Sequence, residues 1–217
     1  MDFRKLFDFL HRLNNHNNKE WMDEHRKEYQ SLRDDYLHWL EELEIKFAQV
    51  DPDYTTTGAK KALNRINNNL LFHPNKPIYK DHFGAGLDKK PGASDFYIHL
   101  GINESFIAGG FYKPKKEHLD SIRAAIDYDG EELEKILQKP SFQKTFGEML
   151  EIDPLKTSPK AYASDHRFIH YLRRRSFVVS RDLTEKEIFS ADFQQKLVKY
   201  YLEILPFRQY LNHAVSV

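Results

Sequence analysis

Apolar residues recur by threes and fours at the start of the chain, at Phe3, Leu6, Phe7, Leu10 and Leu13. That spacing predicts a helix with one buried face. It should stop at Asn14-Asn15, because asparagine side chains bond to the local backbone and favour turns. A second helix is expected from near Asn18 to about Ala48. Trp21, Tyr29, Leu32, Tyr36, Leu40, Leu43 and Phe47 keep its apolar face, and Asp51-Pro52-Asp53 ends it. The period then changes. Phe96, Ile98, Leu100 and Ile102 alternate with Tyr97, His99 and Gly101, which predicts a two-faced strand. Asn103-Glu104 can turn it back into a second strand over Ser105 to Tyr112, and His82 to Leu87 can pair as a third.

Pro114 stops the sheet, and Leu119, Ile122, Arg123 and Ile126 restore helical spacing. Asp165 can cap a helix carrying Phe168, Ile169 and Leu172. Phe177-Val178-Val179 predicts a further strand within Ser176 to Arg181. Thr184-Glu185-Lys186-Glu187 has the spacing of a capping box. Ser190 should open the last long helix, which Pro206 breaks or bends before Tyr210-Leu211. Neither an internal repeat nor a low-complexity linker divides the chain. The pattern therefore predicts an α+β protein: one domain over residues 1–217, its helices packed on a small, central, mainly antiparallel sheet.

Composition narrows the chemistry. The 217 residues include 33 basic and 33 acidic side chains, so the formal charge is zero with neutral histidines. A net basic field is absent, and nucleic acid is not an expected partner. Hydrophobic residues make up 40% and aromatics 14%, enough to bury a core. There is no cysteine, which removes disulfides, thiolate metal sites and cysteine nucleophiles. Charges break every apolar run at the N-terminus, so neither a signal peptide nor a membrane span is expected and the default location is cytoplasmic. The glycine-rich signatures of dinucleotide and triphosphate sites, the serine-hydrolase elbow and the zincin His-Glu-x-x-His are all missing.

Four patterns are candidates for chemistry. Gly109-Gly110 lies inside a strand, where glycine marks a bulge or the close approach of a helix, another backbone or a ligand. Tyr97 and His99 occupy the polar face of the neighbouring strand. Arg65, Lys76, Tyr79, Lys80 and His82 form a basic–aromatic stretch stiffened by Pro74 and Pro77, suited to phosphate or carboxylate or else simply solvated. Lys156, Asp165 and His166 lie in one polar segment, where Asp165 can cap and His166 can titrate near neutrality. His166 and His170 stand one helical turn apart, but Arg167 takes the place of a zincin glutamate and no third ligand is evident, so no metal is expected. Arg173-Arg174-Arg175 reads as a solvated face or as a partner for a buried carboxylate.

These residues resemble, in order and spacing, the family catalogued as domain of unknown function 2461. The resemblance runs through Phe9-Leu10, Asn18-Lys19-Glu20-Trp21, His25-Arg26 and Tyr29, then Arg65-Ile66, Phe72, Lys76, Tyr79-Lys80 and His82. It continues through Tyr97-Ile98-His99-Leu100, Ser105 to Tyr112, Leu119, Ile122-Arg123, and Leu155-Lys156-Thr157 with Pro159 and Tyr162. It ends with Asp165-His166, Leu172 to Phe177, Ser190, Asp192-Phe193 and Pro206-Phe207. It implies an α+β fold and supplies no reaction or cofactor. The chain departs from the family pattern where Asn67-Asn68-Asn69-Leu70-Leu71 replaces several ionic residues, and Tyr112 stands where Trp is frequent.

Two functions follow. In the first, a pocket over the sheet binds an anionic small molecule, with or without catalysis. Tyr97, His99, Gly109 and Gly110 form its floor, and Arg65, Tyr79, Lys80 and His82 its rim. Lys156, Asp165 and His166 approach from the side, and His99, His166 and Asp165 are the candidates for proton transfer. In the second, the chain is a non-catalytic protein-interaction domain. The sequence leaves the ligand, the reaction and the oligomeric state open.

Overall fold

A computed structural model describes residues 1–215. The described chain runs α1 (Phe3–Asn15), α2 (Lys19–Glu24), α3 (Arg26–Val50), α4 (Ala59–Ala62), β1 (His82–Leu87), β2 (Asp95–Gly101) and β3 (Ser105–Phe111). There follow α5 (Lys116–Gln138), α6 (Pro140–Phe146), α7 (Ile169–Leu172), β4 (Phe177–Asp182), α8 (Glu185–Ile188) and α9 (Phe193–Val215). The strands form a four-stranded antiparallel sheet in the order β1-β2-β3-β4, so the fold is α+β. Among the described residues no helix is long and apolar enough to cross a membrane.

The chain gathers into two compact units. The first comprises Met1–Leu87, Tyr97–Ile107 and Asp182–Val198. The α1 residues picked out by spacing are all buried. Phe3 meets Trp39 and Phe193 edge-on, with centroids at 5.1 and 5.5 Å. Tyr36 meets Phe83 of β1 at 5.3 Å, which seats α3 against the strand. Buried Glu44 accepts hydrogen bonds from Tyr54 Oη at 2.9 Å and from the Thr57 and Gly58 amides at 2.7 and 3.0 Å. The loop after α3 is thereby folded back onto it. The expected continuous second helix is broken at His25, which stands at φ −100°, ψ 12°. Its Nδ1–H donates to the Trp21 carbonyl at 2.8 Å and its ring stacks on Trp21 at 3.8 Å.

The second unit comprises Asp88–Phe96, Ala108–Arg181 and the chain from Lys199. Ile122, Ile126, Leu133 and Leu137 of α5 are buried with Phe142 of α6 and with Tyr201 and Phe207 of α9. Proline opens α6, where its missing N–H forfeits nothing. The last helix begins at Phe193, not Ser190, and continues through Pro206 without ending there. Arg208, only 1% exposed, donates through Nη2 to Asp88 Oδ2 and to the Ser94 carbonyl, each at 2.8 Å. Tyr201 Oη donates to the same carboxylate oxygen at 3.3 Å. This group holds the Asp88–Ser94 loop on α9.

Candidate functional site

Within the first unit, Leu63 bridges Ala85 and Asn67 bridges Tyr79, both antiparallel. The segment 63–67 therefore lies along 79–85, and because the register shifts by two residues between the bridges, Arg65 faces the stretch 81–83. The Lys80 ammonium donates to the Arg65 carbonyl, which ties the two segments at this level. Burial, then the charges of Arg65 and Lys76, lower the Lys80 pKa.

His82 is the first residue of β1. Its Nδ1 lies 2.9 Å from Asp81 Oδ1, and Asn103 Nδ2 donates to the other carboxylate oxygen. A carboxylate only accepts, so Nδ1 carries the hydrogen and Nε2 presents its lone pair. Among the described residues nothing bonds to that Nε2. Burial opposes ionisation of Asp81, but the bonds from His82 and Asn103 outweigh it and hold the carboxyl below its ordinary value. Burial also lowers the His82 pKa, against the pull of Asp81.

His82 stacks on His99 with centroids 3.8 Å apart, and His99 stacks on Phe106 at 4.7 Å. The His99 pKa falls to about 4, through burial first and then the neighbouring His82. Glu104 Oε1 is 3.9 Å from His99 Nε2, too far for a hydrogen bond. Tyr97 Oη lies 3.4 Å from His99 Nδ1. A Cβ on Gly84 would sit 2.3 Å from that phenol oxygen, so the bare backbone of β1 is what lets Tyr97 lie across it. The result is a file of neutral aromatic and imidazole rings, with one oriented base at its end and cations beside it. Among the described residues no group of three or more His, Cys, Asp or Glu could hold a metal ion.

The residues expected to form one constellation are divided between the units. Arg65, Lys80, His82, Tyr97 and His99 gather in the first. Tyr79 belongs to the same unit, but it is buried, 4% exposed, and its backbone is clamped by both ends of the Asn17 amide at 2.9 and 3.0 Å. It presents almost no surface to a ligand. Gly109, Gly110, Lys156, Asp165 and His166 belong to the second unit. A Cβ on Gly109 would meet Ile204 Cδ1 at 2.7 Å and Arg208 Cδ at 3.2 Å. The close approach at this glycine is made by α9. Gly110, at φ 121°, would place a Cβ 2.0 Å from the Phe177 carbonyl oxygen, so β4 sets the limit there.

Lys156 and Asp165 are exposed. Asp165 does not cap a helix: the short α7 is led in by Phe168 without a side-chain cap. The Phe168 amide donates to His166 Nδ1 at 3.0 Å, so His166 carries its hydrogen on Nε2 and donates to Asp127 Oδ1 at 2.9 Å. Both ring nitrogens are thus engaged as a strut. Sequence reasoning missed Asp81, Asn103, Phe106 and Gly84. The adjacent Asp81-His82 pair and the glycine inside His82 to Leu87 were signals that could have found two of them.

No curated protein and no solved structure matches the chain. A family model described as "Conserved hypothetical protein (DUF2461)" matches residues 5–210, and the chain belongs to that family.

Proposed function

We propose that the first unit binds a small molecule carrying an anionic group and an exchangeable proton, such as a hydroxy acid or a phosphate ester. Arg65 and Lys80 hold the anionic group, and His82 Nε2 accepts the proton. The observation that carries this reading is the Asp81–His82 pair, whose second nitrogen is left unengaged on the stretch that Arg65 faces. On proton uptake His82 becomes an imidazolium, and Asp81 stabilises it through the existing Nδ1–H bond. The stacked neutral rings of His99 and Phe106 fix the imidazole plane. A cytoplasmic location is part of the same proposal.

A thermal-shift series with glycerol phosphate and lactate tests the reading, since a ligand bound only by the folded state raises the melting temperature. A rise that grows with concentration, and is lost in His82→Gln, is expected. An unchanged melting temperature at about 10 mM of each ligand, roughly ten-thousandfold above a micromolar dissociation constant, overturns it.

The second reading, a protein-interaction domain, has its own support. Leu71 and Phe72 are 84% and 72% exposed and follow the partly exposed Leu70. Self-association measured by light scattering, abolished by Leu71→Ser with Phe72→Ser, would favour that reading.

A further inference from the structure

The first unit also contains a cleft of about 410 Å³, which His82 and its neighbours do not line. Rings make its walls: Phe3 of α1, Trp39 of α3, Phe189 after α8 and Phe193 of α9. Trp39 stacks on Phe193 with centroids 5.8 Å apart, and Phe3 meets both rings edge-on. Phe189 is met edge-on by Phe7 at 5.3 Å. Such packing fixes the walls before any ligand arrives. Trp39 is 6% exposed, and its indole N–H has no hydrogen-bond partner among the described residues.

Two opposite charges line the same cleft. Arg4 sets its guanidinium over the Phe189 ring, 4.7 Å from the centroid. Glu42 accepts a hydrogen bond at 3.3 Å from Gln194 Nε2, which also donates to the Trp39 carbonyl at 3.0 Å. Each charge is thus steadied by a neutral group. Among the described residues neither forms an ion pair, with the other or with a third residue. Asp2 lines the cleft as well, but its carboxylate is already engaged. It accepts the Arg4 and Lys5 amides at 3.1 and 3.3 Å, which caps α1, and it pairs with the Lys5 ammonium at 3.7 Å.

We propose that this cleft binds a free amino acid with an aromatic side chain. Arg4 receives the carboxylate, because the guanidinium fork matches its two oxygens. Glu42 receives the ammonium, and the ligand's ring lies against the aromatic walls. A free amino acid carries both charges on one carbon, which a residue within a peptide does not. The volume lies within the range of small-molecule sites. Nothing in this site depends on Asp81, His82 or Arg65.

Equilibrium dialysis and calorimetric titration in about 0.15 M salt, where surface charges are screened beyond roughly 8 Å, test the site with L-phenylalanine and three truncated compounds. Phenylpropionate lacks the ammonium, phenethylamine lacks the carboxylate and glycine lacks the ring. Phenylalanine is expected to bind more tightly than each of them. Arg4→Gln should weaken phenylalanine about tenfold and leave phenethylamine unchanged. Glu42→Gln should weaken phenylalanine by as much and leave phenylpropionate unchanged. Both residues are exposed, and circular dichroism confirms that each variant is folded. Arg4→Lys keeps the charge without the fork and gives a milder loss of the same sign. His82→Gln should bind phenylalanine as the parent does, which separates this site from the one around Asp81. Phenylalanine bound no more tightly than glycine, or equally tightly by the parent and both glutamine variants at Arg4 and Glu42, overturns the proposal. So does the absence of saturable binding up to about 10 mM phenylalanine.

Discussion

His99 is an imidazole placed where its charged form is unwelcome. Its folded-state pKa of about 4 lies below the ordinary 6.5. The unfolded chain takes up the proton first as pH falls, so folding stability is full above about 6.5 and declines between 6.5 and 4. His99→Phe keeps a flat ring against Phe106 and removes this proton. Denaturant unfolding at pH 7 and pH 4.5 should show a smaller acid loss in the variant than in the parent. Equal losses would mean that His99 is not held neutral by the fold. Gly84 is a second single-residue test. An alanine there places its Cβ 2.3 Å from Tyr97 Oη, so the phenol must move off β1. Overpacking of this kind costs about 1–3 kcal/mol, read as a lower denaturation midpoint. An alanine variant as stable as the parent would show that Tyr97 does not lie across the strand.

At the scale of elements, the loop after β1 and the last helix depend on one buried ion pair. Arg208→Met removes the guanidinium partner of the buried Asp88 carboxylate, and should cost about 3–5 kcal/mol in denaturant unfolding. Adding Asp88→Asn to it should recover part of the loss, and additive losses would contradict the pairing. This pair was not legible in the sequence, because 120 residues separate its members. The helical and strand periods were legible. Alternation over Phe96 to Ile102 marks β2 because side chains on a strand face opposite ways. The break at His25 was invisible because apolar spacing continues across it. What ends α2 is a side-chain bond to a backbone carbonyl, not a change of period. Short α4 and α6 carry too few apolar positions to declare themselves. Gly109-Gly110 did announce a close approach, and Ile204 of α9 is what approaches at Gly109.

At the scale of the whole molecule, the zero formal charge hides a local setting, a nearly neutral file of rings with a single oriented base, in the first unit. The sequence supplied most of its members, since Arg65, Lys80, His82, Tyr97 and His99 all lie in one unit. It could not supply their roles. Those depend on which imidazole nitrogen faces a carboxylate and which is left over. The most direct measurement follows the imidazole resonances of His82, His99 and His166 by NMR while glycerol phosphate is added to the parent protein and to Arg65→Ala. Saturable movement of His82 toward the imidazolium form, with His166 unmoved and the affinity reduced about tenfold in the variant, is the predicted result, a loss of about 1.4 kcal/mol. A His82 resonance that stays still at saturating ligand, or identical binding by Arg65→Ala, would contradict the account.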